Sequence, residues 1–338
     1  MATIKDVARV SGVSIKTVSR VVNNLPEVAP ETRQKVQQAI TELGYQPNLM
    51  ARCLVNGRTN TVGVVIPHSA SYIFAHQFFM EVLRGIAEVL SANNFNLLFH
   101  LAHEKVPYER LYSQRNVDGL ILMSIPIDDP NIQGLEASGA PWVCTCRVSE
   151  GDDAVSWVDA DFASGVEQTM DHLISLGHRR IALLAGPMNL VSVRLRLRGY
   201  RAALRKYGLP ETGGYVLEGD FTSEAGHSLA LQAMRHPQPP SALICGDDMM
   251  AFGAIQALKE LGYRVPEDVS IVGFDDVNLA RFSSPPLTTV RQDTYQKGRI
   301  AADTLLTLMR GATITHPIQT VLDTSLVVRD STAPVKNA

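Results

Sequence analysis

Cysteine is scarce in this chain, with four residues in 338 and no C-x-x-C pair among them. That excludes a disulfide scaffold and a zinc ribbon, so Cys53, Cys144, Cys146 and Cys245 read as thiols in a reducing compartment. Aromatics make up only 6% of the residues, and no apolar run approaches the ~18–20 residues of a membrane helix. The amino end, from Met1 to Asp6, lacks the basic and then apolar order of a secretory signal. A cytoplasmic protein without a membrane partner is expected. The sequence contains no GxxxxGK[ST] phosphate loop, no GxGxxG fingerprint and no HExxH pair. Nucleotide hydrolysis and metalloprotease chemistry therefore lose their support, and neither a metal nor a cofactor is expected. With 45% hydrophobic and 19% charged residues, the chain is neither disordered nor a coiled coil, and its length suits two or three α/β domains at roughly 100–200 residues each.

What is present is an uneven distribution of charge. Residues 1–60 hold eight Lys or Arg against four acids, leaving 23 basic and 30 acidic residues in the rest. A basic head on an acidic body suits a polyanion at the head. Thr3 is placed to cap a helix over about 4–10 with Asp6 as partner, and Ile4, Val7, Ala8 and Val10 are its apolar residues. Gly12 ends that helix. Ser14 caps a second with Val18, Val21 and Val22 inward, and a third runs from Pro30 to Gly44 with Val36, Ile40 and Leu43 inward. The second helix keeps Ile15, Lys16, Thr17, Ser19 and Arg20 off its apolar stripe, where a helix-turn-helix presents side chains to base edges. Arg20 and Lys16 suit guanine and Ile15 a thymine methyl, while Thr3, Thr17, Ser19 and Asn23 suit phosphate oxygens. From these residues alone, a helical hairpin used for protein contacts stays open as an alternative.

The run ATIKDVARVSGVSIKTVSRVVNN followed by VAPETRQKVQQAITELGYQPN resembles the DNA-binding headpiece of the LacI/GalR family of bacterial transcriptional regulators. The resemblance implies an operator-binding domain over 1–47, with Ser14 among the contacting residues, and a hinge helix and linker over 48–60. In that hinge, Ala51 and Leu54 would meet the minor groove, with Leu54 as an apolar wedge. Cys53 stands there in place of a small residue.

Beyond residue 60 the pattern changes to short apolar runs bounded by Gly or Pro: TVGVVIP, NLLFHLA, GLILMS, PWVCTC, RIALLAG, SALICG and VSIVGFDD. Helical stretches at 79–92, 163–176, 224–235 and 248–261 separate several of them. Such alternation predicts parallel sheets covered by helices on both faces, with ligands beyond the carboxyl ends of the strands. The stretch resembles the family's effector domain, similar to periplasmic sugar-binding proteins. This implies two doubly wound subdomains within 61–332, one formed by about 61–160 and 293–322, the other by about 161–291 and 323–332. By the same resemblance Arg196 grips the effector, Phe221 stacks on its ring and Asp275 accepts hydroxyl hydrogen bonds. Phe78, Phe79, Ser192 and Gln292 are further candidates. Asp247 stands where asparagine is common, and Arg147 where one member carries an acid.

These residues favour a neutral sugar, while Arg147 beside Arg196 leaves an acidic or phosphorylated sugar open, and nucleosides or purines stay open too. The leucine-rich tetramerisation tail of one member is absent, so a homodimer is expected, with a disordered tail over 333–338. Family practice places a dimer contact on the helix around 79–92, although Val82, Leu83, Ile86, Val89 and Leu90 also suit an ordinary core. Gly226-His227-Ser228-Leu229-Ala230 nearly spells a GxSxG nucleophile elbow, but it lacks the last glycine and a strand leading into it. The expected function is a DNA-binding regulator, most simply a repressor of carbohydrate-use genes under a small-molecule effector. A sugar-binding transport module and an α/β enzyme are the competing classes.

Overall fold

The computed structural model describes residues 2–22, 25–46, 58–101, 107–151, 154–311 and 316–335. Asn23, Ala51, Cys53 and Leu54, and with them the hinge-helix reading, lie outside the described residues. The chain forms two compact units, Met1–Thr59 and Asn60–Ala338.

In the first unit, α1 spans Ile4–Ser11, α2 Ile15–Val22 and α3 Pro30–Leu43. Val7, Ala8, Val18, Val21, Val36 and Ala39 form its core. Val10 is 47% exposed, because position 10 falls outside the 4, 7, 8 and 11 stripe of a helix. Thr3 closes a capping box with Asp6, and Gly12 ends α1 in the left-handed region at φ 68°.

The second unit contains two six-stranded sheets. The first uses β1 Thr61–Ile66, β2 Asn96–Leu101, β3 Gly119–Leu122, β4 Trp142–Cys144, β5 Trp157–Ala160 and β11 Gln319–Leu322. The second uses β6 Ile181–Ala185, β7 Val216–Glu218, β8 Ala242–Cys245, β9 Ser270–Asp275, β10 Thr288–Gln292 and β12 Thr324–Val327. Their orders are β11-β5-β4-β3-β1-β2 and β12-β10-β9-β8-β6-β7. Every pairing is parallel except that of β10 with β12. The helices are α4 Ala70–Ala75, α5 Gln77–Ala92, α6 Glu109–Ser113, α7 Asn131–Ser138, α8 Phe162–Ser175, α9 Val191–Lys206, α10 Ser223–Met234, α11 Asp248–Glu260 and α12 Thr294–Met309.

The chain crosses from the first sheet to the second after β5, returns after β10 and crosses a third time between β11 and β12. The first two crossings end in an aspartate N-cap with the same dihedrals, φ −80° and ψ 79°, at Asp161 and Asp293. Each carboxylate accepts a backbone N–H three residues on, which starts the next helix directly at the crossing.

Close backbone contacts fix the helix pairs. A Cβ on Gly85 would lie 2.2 Å from the Tyr295 carbonyl oxygen, and one on Gly298 would lie 2.1 Å from that of Val82, so α5 and α12 touch at both glycines. Val82, Ile86, Val89 and Leu90 are buried in this contact and against the first sheet. The apolar stripe of 79–92 is therefore core, and only Leu83 among its five residues stays partly exposed.

Two expectations are corrected. The tail is ordered through Val335: the Ala333 N–H donates to Ser270 Oγ, the Ala333 carbonyl meets His178 Nε2, and the Val335 N–H donates to the Leu176 carbonyl. Such backbone pairing outweighs the polar composition of the segment. A strand, β7, does precede the GxSxG-like run, but Ser228 lies in the interior of α10. The glycine there serves packing, since a Cβ on Gly226 would come within 2.1 Å of the Met250 carbonyl oxygen on α11.

Gly298→Ala should lower the melting temperature, because neither backbone at the α5–α12 contact yields readily and overpacking costs about 1–3 kcal/mol. Calorimetry that finds unchanged unfolding would remove this contact as a constraint.

Candidate functional site

In the first unit, α2 presents Ser14, Ile15 and Lys16 exposed at its amino end, with Thr17, Ser19 and Arg20 half-buried beside them. Ile15 is 45% exposed, an apolar side chain left in water at the end of a helix. The Ser14 hydroxyl accepts the Thr17 N–H at 3.1 Å and meets the Thr17 hydroxyl at 2.9 Å, so these two residues build the turn. The Thr3 hydroxyl donates to Asp6 at 2.7 Å and its N–H does so at 3.0 Å, so Thr3 serves the cap and has no further proton for a phosphate. Those bonds hold the Asp6 carboxyl below its ordinary value, with Arg9 adding to the effect. Arg20 lies 3.5 Å from Glu27 in an exposed pair, which holds it only loosely.

In the second unit, a cleft of about 680 Å³, mouth included, gathers Phe78, Phe79, Arg147, Ser192, Arg196, Phe221, Asp247, Asp275 and Gln292. All nine residues singled out from sequence share it. The reason is topological: in both sheets the chain reverses direction beside the first strand of the sheet, and crevices open at the carboxyl ends of strands there. Asp247 follows β8, while Asp275 and Gln292 end β9 and β10.

Arg196 is the buried centre, 6% exposed. Its guanidinium lies 4.1 Å from the Phe274 ring centroid, 4.4 Å from that of Phe162 and 5.7 Å from that of Phe221. Its Nη2 is 4.0 Å from Asp275 Oδ1, while Nε and Nη1 have no partner among the described residues. Burial pulls its pKa down, opposed by Asp275, Asp247 and Asp159.

Asp275 sits at φ 108° and Asp276 at φ 54°, a strained turn for non-glycine residues. Neighbours hold it in place. Asp248 accepts the Val277 N–H at 2.8 Å and the Thr289 hydroxyl at 2.5 Å, and Asp276 pairs with Arg291 and Arg329. Burial raises the Asp275 pKa, with Arg196 the strongest opposing influence. The Asp275 carboxylate also accepts from the Gln292 side-chain amide nitrogen, and the oxygen of that amide has no partner among the described residues.

The Phe221 ring rests on bare backbone: Cβ atoms on Gly186 and Gly246 would meet it at 2.2 and 3.0 Å. Its carbonyl faces His76 Nε2 from the first subdomain. Asp247 caps α11 by accepting the Met250 N–H at 2.7 Å, and burial raises its pKa well above the usual range, with Asp275 adding to the rise.

The cleft also contains residues that sequence reasoning missed, among them Tyr72, His76, Asp159, Phe162 and Lys297. Two of them carried a signal. Asp159 is an acid inside an otherwise apolar strand, and Lys297 shares the helix face of Ala301 and Leu305. No group of His, Cys, Asp and Glu suited to a metal ion occurs among the described residues, and no helix among them is long and apolar enough to cross a membrane.

A helix-turn-helix unit followed by a two-sheet α/β unit with a polar cleft defines a ligand-responsive DNA-binding regulator. The chain belongs to the LacI family. Residues 3–48 match the family described as bacterial regulatory proteins, lacI family, and residues 170–332 match the periplasmic binding protein-like domain. The HTH-type transcriptional regulator CelR of Thermobifida fusca is 38% identical over 97% of this chain and 98% of its own. The HTH-type transcriptional repressor CytR of Escherichia coli is 35% identical over 98% of this chain and 96% of its own. Among solved structures, a lac repressor dimer bound to operator and the anti-inducer ONPF is 31% identical with a TM-score of 0.86, covering 98% of this chain and 99% of that one. A CelR–cellobiose complex is 37% identical with a TM-score of 0.77, covering 98% and 100%.

The raised Asp247 pKa sets a pH dependence. The folded chain holds this proton when the unfolded chain has released it, so the stability contribution is full below the ordinary value of 3.8 and is lost as pH rises through the folded value. Asp247→Asn keeps the cap acceptor without the ionisation. Its melting temperature should gain on wild type as pH rises above about 4. Parallel curves for the two proteins would show that Asp247 does not titrate in this way.

Proposed function

We propose that this protein is a cytoplasmic, non-enzymatic repressor that binds a palindromic operator as a homodimer and responds to a sugar or sugar derivative in the cleft. The observation that carries the effector reading is the joining of an aromatic platform, Phe221, to Arg196, Asp247 and Asp275 in one cleft. A ring's C–H face suits the phenyl group, and hydroxyl pairs suit the guanidinium and carboxylates. The cellobiose of the CelR complex supports the same class.

For the head, residues 1–47 read DNA through Ile15, Lys16 and Arg20, with Thr17, Ser19 and Asn23 positioning the helix on phosphates, and in the hinge over 48–60 Ala51 and Leu54 act in the minor groove. Exposed apolar side chains support the dimer. Leu97 and Leu98 lie on the edge strand β2, and Leu279 and Phe282 are 49% and 77% exposed, surface that a second copy would cover.

Two substitutions separate the two activities. Arg20→Ala should weaken specific operator binding by about 1–3 kcal/mol and leave effector binding intact. Asp275→Ala should bind operator normally and lose its response to effector. Operator titrations with and without a sugar panel read both outcomes, and an Asp275→Ala protein that still responds at wild-type concentrations would displace the effector from this cleft.

A further inference from the structure

Resting on the reading that the cleft holds a sugar-like effector, we propose that Lys297 is a specificity residue and that the effector is a sugar bearing an anionic oxygen group. Lys297 is 1% exposed, yet it lines the cleft. Its ammonium has three N–H groups to place, and the described residues give it one acceptor, Asp159 Oδ1 at 3.1 Å. Asp159 itself is well supplied with donors. Oδ1 also accepts the Ala160 N–H at 2.9 Å, and Oδ2 accepts the Arg147 N–H at 3.2 Å.

Aromatic rings surround the rest of the ammonium, with the Phe162 centroid at 5.3 Å and that of Phe78 at 5.8 Å. A buried cation with spare donors is costly unless something else accepts from it. The Arg196 guanidinium lies 4.4 Å from the same Phe162 centroid and has unpartnered Nε and Nη1. Two cations with free donors therefore sit against one ring. Arg147 adds a third, its guanidinium 4.6 Å over Trp157 and its Nε unpartnered.

The two walls differ in the balance of their groups. On the second-subdomain wall, Asp247 and Asp275 take hydroxyl donors beside the spare donors of Arg196. On the first-subdomain wall, Lys297 and Arg147 take acceptors. A ligand that satisfies both has hydroxyls at one end and a carboxylate or phosphate at the other. The neutral sugar favoured by Phe221, Arg196 and Asp275 alone leaves the Lys297 donors unused. The α5–α12 glycine contacts hold the backbone beside Lys297 in place, so the ammonium is set before ligand arrives.

The test uses the full-length protein, with calorimetric titration and thermal shift. The probes are gluconate, glucuronate and galacturonate in one arm, glucose 6-phosphate and galactose 6-phosphate in a second, and glucose, galactose and cellobiose in a third. Lys297→Met removes the ammonium but leaves the buried Asp159 charge alone, so Asp159→Asn/Lys297→Met serves as a second variant without that charge. Wild type is expected to bind a member of one acidic arm at least about tenfold more tightly than its neutral counterpart, with the ratio near one in both variants. Which acidic arm responds tells carboxylate from phosphate.

A neutral sugar preferred by wild type and bound equally by both variants overturns the proposal while leaving the sugar reading intact. An acidic preference that survives in both variants overturns the role of Lys297. Binding in none of the three arms overturns the sugar reading and this proposal together.

Discussion

The second unit depends on the burial of one guanidinium, that of Arg196. A cation with 6% exposure is expensive to remove from water, and it persists only where charge and ring faces surround it. Here Phe162, Phe274 and Phe221 supply the ring faces and Asp275 the charge. Asp275 reaches that place only because the chain turns through two positive-φ residues. That turn in turn rests on Asp248, whose buried carboxylate holds the Val277 N–H and the Thr289 hydroxyl. Asp247 and Asp248 thus divide the work of one helix start, with the first facing the cleft and the second tying β9 to β10.

Glycine contacts make each half of the cleft a rigid wall. Gly85 and Gly298 lock α5 to α12 in the first subdomain, and Gly226 and Gly253 lock α10 to α11 in the second. The contacts between the two walls are of another kind. Among the described residues they include His76 against the Phe221 carbonyl, the Ile127 N–H donating to the Asn189 carbonyl, the Leu279 N–H donating to Gln77, Lys297 over the Phe162 ring, and Glu150 pairing with Arg194 and Arg198 on the outer face of α9. Polar contacts of this sort exchange for water far more cheaply than a packed helix pair separates.

The strand ends were legible in sequence because parallel strands buried on both faces read as unbroken apolar runs, and polar residues after such runs stand out. That pattern marked the strand ends as the place to look, and resemblance to a family then singled out Asp247 and Asp275 there, as it did Arg196 and Phe221 in a helix and a loop. The remaining strands were harder to see. β7 and β12 are short, β5 is broken by Asp159, β11 alternates in burial as an edge strand, and β10 carries Thr and Arg. Lys297 was missed for a physical reason: a lysine in a helix is usually solvated, and its place on the face of Ala301 and Leu305 is a weak signal against that tendency, whereas the approach of Asp159 shows it turned inward. The order of the tail was equally invisible, since Ala333 and Val335 are held through backbone groups that carry no side-chain signature.

Which contacts transmit the effector's presence follows from which wall they sit on. A ligand shifts an equilibrium between two arrangements only by the difference in its affinity for them. Arg196, Phe221, Asp247 and Asp275 all belong to the second subdomain, so a ligand held by these alone binds equally well whether or not the first subdomain is apposed. It would occupy the cleft and change nothing. Coupling of the usual 1–3 kcal/mol, an order-of-magnitude figure, has to come from groups across the cleft, and Lys297 and Arg147 are charged lining residues there with spare donors among the described residues. The residues that give affinity and those that give a response are thus on opposite walls, and a ligand acts as a signal only when it reaches both.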